Sequence, residues 1–404
     1  MKKTIVALLT ITALLLILLS CASPAAYTTA DALLEAASPV SSSPLGEPDL
    51  SAIIRKVHFL ACGDNIIYGG NVRDAKENAL PGGREYNFKP FYVNIAKMVE
   101  EADVSFINQE TVMAGEGYSI SFYPCFNSPQ DLGYDLEELG YDVVNIANNH
   151  MLDKGTQGLA DTIAFWKSRN VLMTGGYESP EDFDDIRVFS SGGVKIAFLS
   201  YTYGTNGLVK AKDSPIVVPY LDEDDARRQV ALAKEKADVV IVSAHWGYEG
   251  NFTPNDEQKH YAKLFADLGV DVVIGHHPHV IQPVEWIEGK NGNRMLCVYS
   301  LGNFIGEQAY DYNALGAIVD FDIVLCGDGP AKIENIVFHP TVCHFPYNFL
   351  GNVIYLLEDY TPSLAASHGV NTFYRHSLSI DRFKQYVHNT IDPVFLPEAL
   401  REDE

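Results

Sequence analysis

The sequence predicts an α/β fold in which strands and helices alternate along most of the chain. Short apolar runs with β-like composition alternate with amphipathic stretches of helical length. Polar residues follow several of these apolar runs directly, as happens where strands end at the ligand-binding edge of an α/β sheet. We therefore expect the functional side chains at strand ends.

The elements follow in a regular order. Strands are predicted at 57–62, 104–107, 143–147, 194–201, 239–243, 270–274, 295–300, 317–325 and 332–339. Helices are predicted at 91–101, 131–139, 158–169, 223–237 and 255–268. Pro254 and Asn255 are start signals for the last helix, and the turn-rich run 326–330 indicates an antiparallel hairpin between the last two strands.

The N-terminal region has the pattern of an export signal. Met1-Lys2-Lys3 precedes an uncharged apolar run over 4–19, which is too short for a spanning helix. Leu18-Leu19-Ser20-Cys21 resembles a bacterial lipobox, so we expect a lipoprotein signal peptide at 1–20 and a lipid on Cys21. The alternative is an ordinary cleaved signal with an incidental cysteine. We expect an extracytoplasmic protein, lipid-anchored to the bacterial cell membrane, with a flexible Ala/Ser/Pro spacer over 21–55.

The charge balance limits the partners. The chain has 29 basic and 53 acidic residues, a formal net charge of −24. This argues against nucleic acid or an anionic membrane surface as a partner. An anionic small-molecule or polymer substrate would need local positive charge, which bound metal supplies.

The cysteines predict neither a disulfide framework nor a structural zinc ribbon. Beyond Cys21 there are five, an odd number without C-x-x-C spacing. Buried thiols are expected, and an exported context leaves one or two bridges open.

Seven polar residues at strand ends are candidates for a metal site. They are Asp64, Glu110, Asn149, His150, His245, His277 and His279. Imidazole, carboxylate and amide donors together suit a divalent transition metal, here a pair of Mn, Zn or Fe ions with a bridging carboxylate. Singly, most of them have structural explanations as caps, turns or interior histidines. Three histidines within 276–279 are harder to explain that way.

Six short motifs occur in order along residues 57–305. They are Gly63-Asp64, Asn108-Gln109-Glu110, Asn148-Asn149-His150 with Asp153 and Gly155, His245-Trp246-Gly247-Tyr248-Glu249, Gly275-His276-His277-Pro278-His279 and Ser300-Leu301-Gly302-Asn303-Phe304. As a set they resemble the CapA family of poly-gamma-glutamate capsule proteins, in the calcineurin-like metallophosphoesterase superfamily. The resemblance implies a metallophosphatase-like domain at 56–348, a four-layer α/β/β/α sandwich of two facing mixed sheets, followed by C-terminal peripheral helices and tail at 349–404.

The resemblance also implies a role for each site residue. Asp64 and His279 would bind the first metal, Glu110 would bridge, and Asn149, His245 and His277 would bind the second metal. His150 would act as general acid or transition-state stabiliser, and Asp153 would orient it.

One motif departs from the pattern of ordinary phosphoesterases, and the register of another is ambiguous. Ordinary phosphoesterases have Asp-x-His where this chain has Asp64-Asn65-Ile66, so the first metal binds weakly, is absent, or takes its missing ligand from another residue. The register of the histidine run is also ambiguous, since His276 directly follows the glycine. Alternation along a strand favours His277 and His279 pointing together.

Three functions fit these features. The leading hypothesis is a surface-anchored, metal-dependent hydrolase of phosphoester-type bonds in capsule or poly-gamma-glutamate biosynthesis, working with a membrane capsule-synthesis complex. The second is a non-catalytic accessory lipoprotein that scaffolds polymer synthesis or export. A solute-binding lipoprotein ranks third, because that class does not require histidines and carboxylates at strand ends.

Overall fold

Two β-sheets form the centre of the molecule. The computed structural model describes residues 54–327 and 329–401, and the strands in this part of the chain form one sheet of eight and one of six. The first sheet contains β1 (Ile54–Asn65), β2 (Val104–Gln109), β3 (Val143–Asn145), β4 (Leu172–Thr174), β11 (Asn303–Ile305), β12 (Leu315–Cys326), β13 (Lys332–His344) and β14 (Val353–Leu356). The second contains β5 (Arg187–Ser191), β6 (Val194–Thr202), β7 (Val239–His245), β8 (Val272–His276), β9 (Val284–Glu288) and β10 (Arg294–Val298).

Both sheets are mixed, as the family resemblance implies. The first has the order β14-β13-β12-β1-β2-β3-β4, with β11 paired to the end of β1. Strands β1 to β4 run parallel, whereas β12, β13 and β14 are antiparallel to their neighbours. The second has the order β5-β6-β7-β8-β10-β9, with antiparallel pairs at both edges. The parallel strands of each sheet therefore end together at one edge.

The α-helices are short and surround the sheets. In the described residues they are α1 (Gly69–Glu77), α2 (Ala96–Glu101), α3 (Asp131–Leu139), α4 (Gly155–Lys167), α5 (Pro180–Asp184), α6 (Glu223–Lys236), α7 (Asp256–Leu268), α8 (Pro362–Ser367), α9 (Gly369–Thr372) and α10 (Ile380–Thr390). No helix among them is long and apolar enough to cross a membrane.

Three apolar clusters separate four layers. Between the sheets, Phe198 of β6 stacks on Phe59 and Phe106 of the first sheet, each with ring centroids 6.1 Å apart. A second cluster packs α1 to α4 on the outer face of the first sheet, and a third packs α6 and α7 on the outer face of the second. Since the central strands are buried on both faces, their sequences are apolar throughout. The four-layer α/β/β/α sandwich is confirmed.

Local sequence signals account for the best-predicted helices. Helix α3 has the predicted bounds, and it ends at Gly140 in the left-handed conformation. Helix α7 begins after Asn255, whose side chain accepts from the Gln258 backbone while the Gln258 side chain accepts from the Asn255 backbone. This reciprocal cap explains why the start signals at 254–255 were informative.

Some elements differ from the prediction. The helix expected at 91–101 is a 3₁₀ turn over Lys89–Tyr92 followed by α2, and the Asn94 side chain between them donates to the Ile354 carbonyl of β14. Helix α1 was not predicted, since its Gly69-Gly70 start has poor helix propensity.

The regions predicted at the two chain ends lie partly outside the described residues. The expected signal peptide, the lipidated Cys21 and most of the spacer lie outside the described residues, but Ile54 and Arg55, its last two positions, belong to β1. The C-terminal region contains the helices α8 to α10, and it also adds β14 to the edge of the first sheet. The described residues after 349 therefore include an edge strand besides peripheral helices.

Candidate metal centre

All eight residues singled out as ligands or catalytic groups lie together where the parallel strands of both sheets end. Asp64 and Glu110 come from the ends of β1 and β2, and Asn149, His150 and Asp153 from the turn after β3. His245 ends β7, and His277 and His279 follow β8. All eight are buried. The structure thus brings the first sheet's carboxylates against the second sheet's imidazoles.

Asp64 is held by hydrogen bonds to both of its carboxylate oxygens. Oδ1 accepts from Asn108 Nδ2 at 2.9 Å and lies 3.1 Å from His276 Nδ1. Oδ2 accepts the His277 backbone N–H at 3.1 Å and lies 3.2 Å from His279 Nδ1. Burial would raise the pKa of Asp64, but its hydrogen bonds with the two imidazoles hold that pKa well below the ordinary value. The carboxylate is therefore fixed and ionised.

Glu110 is fully buried, and neither of its carboxylate oxygens has a hydrogen-bond partner. Oε1 lies 3.7 Å from His245 Nε2 and 3.7 Å from His279 Nε2. Burial and the Asp64 charge raise the pKa of Glu110 well above its ordinary value. An unpartnered buried carboxylate is costly, and its place between two imidazoles is what a bridging ligand requires.

A left-handed loop places the two histidines of the last motif. Strand β8 ends at His276, and His277 and His279 have φ of 95° and 54°. The reason given for their pairing, alternation along a strand, was wrong, because the strand has ended. The loop conformation brings their rings to 5.8 Å between centroids, and the Asp64 carboxylate and Asn313, which donates to the His279 carbonyl, hold the loop. Such backbone is uncommon outside glycine and clusters at functional sites.

Asn149 and His245 meet across the two sheets. Asn149 Oδ1 lies 3.0 Å from His245 Nε2, and Asn149 Nδ2 donates to Asn206 Oδ1 at 3.2 Å. Burial and the neighbouring His277 lower the pKa of His245 well below its ordinary value, so its ring is neutral. Neutral imidazole is the form that binds metal.

His150 and Asp153 form a hydrogen-bonded pair beside these residues. His150 Nδ1 lies 2.8 Å from Asp153 Oδ2, which also accepts the Phe126 backbone N–H at 2.7 Å. Asn148 holds the turn, because its side-chain oxygen accepts from the His150 backbone and its amide donates to the Gln109 carbonyl. The arrangement directs Nδ1 to the carboxylate and leaves Nε2 for another partner.

The donor chemistry fits one or more divalent cations. Two sets of three residues, Glu110 with His245 and His277, and Asp64 with Glu110 and His279, each have one potential ligand atom per residue within 4.8 Å of the others. The Glu110 oxygens and the Nδ1 atoms of His245 and His277 are buried without hydrogen-bond partners. Mixed imidazole and carboxylate donors suit Mn, Zn or Fe.

Sequence reasoning missed two residues at this centre. His276 is fully buried, contacts Asp64 through Nδ1 and lies against the Phe106 ring, 6.0 Å between centroids. Glu249, two residues after Gly247, lies within the same 4.8 Å limit of His277 and His279. Both belong to motifs that were recognised. The signal for Glu249 was its carboxylate at the end of the His245–Glu249 motif.

A cavity of about 840 Å³ opens beside the metal centre at His279 and Glu249. Its wall is rich in aromatic side chains, and Arg73 brings a positive charge to it. The described C-terminal segment, which was expected to be peripheral, supplies Phe373 and Tyr374. The cavity therefore borders the metal centre at His279 and Glu249.

Comparison with known proteins gives a family match over the same region. A family model described as "Bacterial capsule synthesis protein PGA_cap" matches residues 58–308. This range contains all the residues discussed above as ligands and catalytic groups.

Two relatives and one solved structure show how far the similarity extends. The "PGA biosynthesis protein CapA" of Bacillus subtilis is 34% identical over 206 residues, 50% of this chain and 53% of that protein. The "Probable polyglutamine synthesis accessory protein" of Mycobacterium tuberculosis is 28% identical over 242 residues, 54% of this chain and 58% of that one. The NAD nucleotidase of Haemophilus influenzae has 12% identity and a TM-score of 0.43, covering 83% of this chain and 60% of the other. The chain thus spans little more than half the length of either relative.

Proposed function

The chain belongs to the bacterial capsule synthesis protein PGA_cap family, and from that premise we propose that it is a metal-dependent hydrolase of phosphoester-type bonds acting in capsule or poly-gamma-glutamate synthesis. The observation that carries this proposal is the Glu110 carboxylate, buried without a partner and 3.7 Å from the imidazoles of His245, at the end of β7, and His279, in the loop after β8. A purely structural carboxylate would have hydrogen bonds.

The residues divide into binding and proton-transfer groups. Asp64, Glu110, Asn149, His245, His277 and His279 would hold a pair of divalent cations. When bound, these cations would supply Lewis acidity and positive charge for a phosphoryl group in an otherwise acidic protein.

His150 would handle the proton on the leaving group. Because Asp153 Oδ2 lies 2.8 Å from Nδ1, Nε2 is left to carry a proton and donate it to the leaving oxygen. Because the Phe126 backbone also donates to Asp153, the carboxylate is fixed and the ring keeps one orientation.

The test is hydrolysis by purified protein loaded with manganese. Metal content is measured first, and bis(p-nitrophenyl) phosphate is then supplied as a generic phosphodiester. We expect about two equivalents of metal, as in two-metal hydrolases, and turnover that stops on chelation. Fewer than about one equivalent of bound metal, together with no hydrolysis, would exclude the hydrolase.

An accessory role is the second candidate, and one observation favours it. The two residues after Asp64 contribute no imidazole, and a scaffold could keep the fold with a weakened first metal position. A relative also bears the name of a synthesis accessory protein. This candidate predicts that the His150→Ala variant still restores polymer synthesis in cells lacking the wild-type chain. The hydrolase predicts that it does not.

We also propose that a lipid on Cys21 anchors the chain outside the cytoplasm, where it could work with a membrane synthesis complex. The Leu18-Leu19-Ser20-Cys21 string supports this. Labelled fatty acid should be incorporated into the wild-type chain and not into Cys21→Ala. Equal labelling of both would exclude this anchor.

A further inference from the structure

The two residues after Asp64 cannot supply the missing ligand. The Asn65 side chain is used within the fold, since it donates to Gln109 Oε1 at 2.7 Å and accepts from Tyr92 Oη at 2.8 Å. Ile66 is apolar and 2% exposed. Any further donor for the first metal must come from another part of the chain.

The loop after β7 is attached directly to the histidine loop after β8. The Gly250 backbone N–H donates to the Pro278 carbonyl at 2.8 Å. Gln282 Nε2 donates to the Asn251 carbonyl at 2.7 Å, on the other side of the same turn. These bonds fix the position of Glu249 relative to His277 and His279.

Glu249 is exposed, and it lies beside the two histidines that neighbour the buried carboxylates. One carboxylate oxygen of Glu249 and one nitrogen each of His277 and His279 lie within 4.8 Å of one another, and His279 also belongs to the set with Asp64 and Glu110. Among the described residues no lysine or arginine forms an ion pair with Glu249. The basic side chains that form salt bridges in this part of the chain are paired with other carboxylates. The unpartnered Nδ1 of the buried His277 and both Glu110 oxygens point independently to a ligand among these residues.

We propose that Glu249 is a metal ligand that completes the first metal position in place of the imidazole that ordinary phosphoesterases place after the first aspartate. This inference rests on the metal centre of the proposed function and adds a third carboxylate to Asp64 and Glu110. A carboxylate-rich donor set favours manganese or iron over zinc.

The test compares Glu249→Gln with Glu257→Gln, using manganese chloride as the probe. Glu257 lies in the exposed first turn of α7, so its replacement removes the same charge from a neighbouring position. Bound manganese per chain is measured after equilibrium dialysis, and affinities are measured by calorimetry. Far-UV circular dichroism of the metal-free proteins checks that the fold is unchanged.

We expect two manganese sites in the wild type and in Glu257→Gln. Glu249→Gln should keep the second metal position and bind manganese at the first position at least about tenfold more weakly, since even indirect loss of ligand support has effects of that size. Glu249→His should restore manganese binding at the first position and shift the preference of that position from manganese toward zinc.

Manganese binding by Glu249→Gln with two wild-type affinities would overturn the inference and leave the proposed hydrolase standing. Two manganese sites that depend on Glu249 in a protein without any phosphodiesterase activity would support the inference and overturn the hydrolase. A wild type that binds fewer than two manganese ions would also overturn the inference.

Discussion

At the scale of single residues, Glu110 carries a conflict between stability and function. Its carboxylate is fully buried, has no hydrogen-bond partner and lies near the charge of Asp64. The pKa of Glu110 is raised well above the ordinary value in the folded protein. Ionising Glu110 at neutral pH is therefore unfavourable in the folded state but not in the unfolded state, and the difference lowers the free energy of unfolding. Functional sites often hold such groups at the expense of stability.

Replacing Glu110 by glutamine should therefore stabilise the metal-free protein. We expect the free energy of unfolding in urea with EDTA at pH 7 to rise by about 1–3 kcal/mol, because glutamine has no charge for burial and Asp64 to disfavour, and an unsatisfied buried group costs more when it is charged. Manganese should stabilise the wild type further but not Glu110→Gln. The exposed Glu116→Gln serves as the control and should match the wild type. A less stable metal-free Glu110→Gln would contradict this account.

His150→Ala should separate catalysis from metal binding. Turnover should fall by about 10²–10⁴-fold, the usual contribution of a positioned acid. Metal content should stay at the wild-type level, because His150 is paired with Asp153 and lies outside the candidate metal sets. His260→Ala, an exposed histidine paired with Glu223 on the outer helices, is the control. Unchanged turnover in His150→Ala would show that His150 is not the proton donor to the leaving group.

Some of these residues could be recognised in the sequence and others could not. Asp64, Glu110 and His245 directly terminate strands, so periodicity was enough to place them at one edge. The contact of His276 with Asp64 joins residues 212 positions apart, and the place of Glu249 depends on hydrogen bonds between two loops. Local pattern contains no information on such contacts. The family resemblance, by contrast, is confirmed by the match over 58–308.

At the scale of elements, β8 is packed so closely that its glycine is required. A Cβ on Gly275 would lie 2.0 Å from the Tyr299 carbonyl oxygen and 2.8 Å from Trp246 Nε1. These two groups are hydrogen-bonded to each other at 2.9 Å. The close approach sets where the histidine loop begins, which is a packing role for the glycine in this motif.

Gly275→Ala should consequently destabilise the protein. We expect a loss of about 1–3 kcal/mol or more in urea unfolding, because backbone atoms must move to admit the methyl group. Gly117→Ala, where an added Cβ meets nothing within 4 Å, should differ little from the wild type. Equal stability of the two variants would show that β8 can shift without cost.

Strand and helix positions were largely predictable because the central elements are long and uniformly apolar or amphipathic. Helix α3 has its predicted bounds, and the hairpin of β12 and β13 forms around the predicted turn. Short edge elements were missed. Strand β14 has four residues and, among the described strands, pairs only with β13, so its formation depends on a partner that the local sequence does not reveal.

At the scale of the whole molecule, the arrangement of the two sheets brings separate weak signals together. The parallel strands β1, β2 and β3 of one sheet and β7 and β8 of the other end at the same edge of the sandwich. The donors are spread from Asp64 to His279 in the sequence, and the fold collects them. With a net charge of −24 the protein otherwise repels anions, so cations at this edge would give a phosphoester a favourable place to bind.

Anomalous diffraction from crystals soaked in manganese chloride would show whether this edge of the sandwich binds divalent metal. We expect manganese peaks beside Glu110, one toward His245 and one toward His279, with ligand distances of roughly 2.0–2.3 Å. The absence of any peak among these residues at millimolar manganese, with Glu110 still unpartnered in the electron density, would show that this edge is not a metal site.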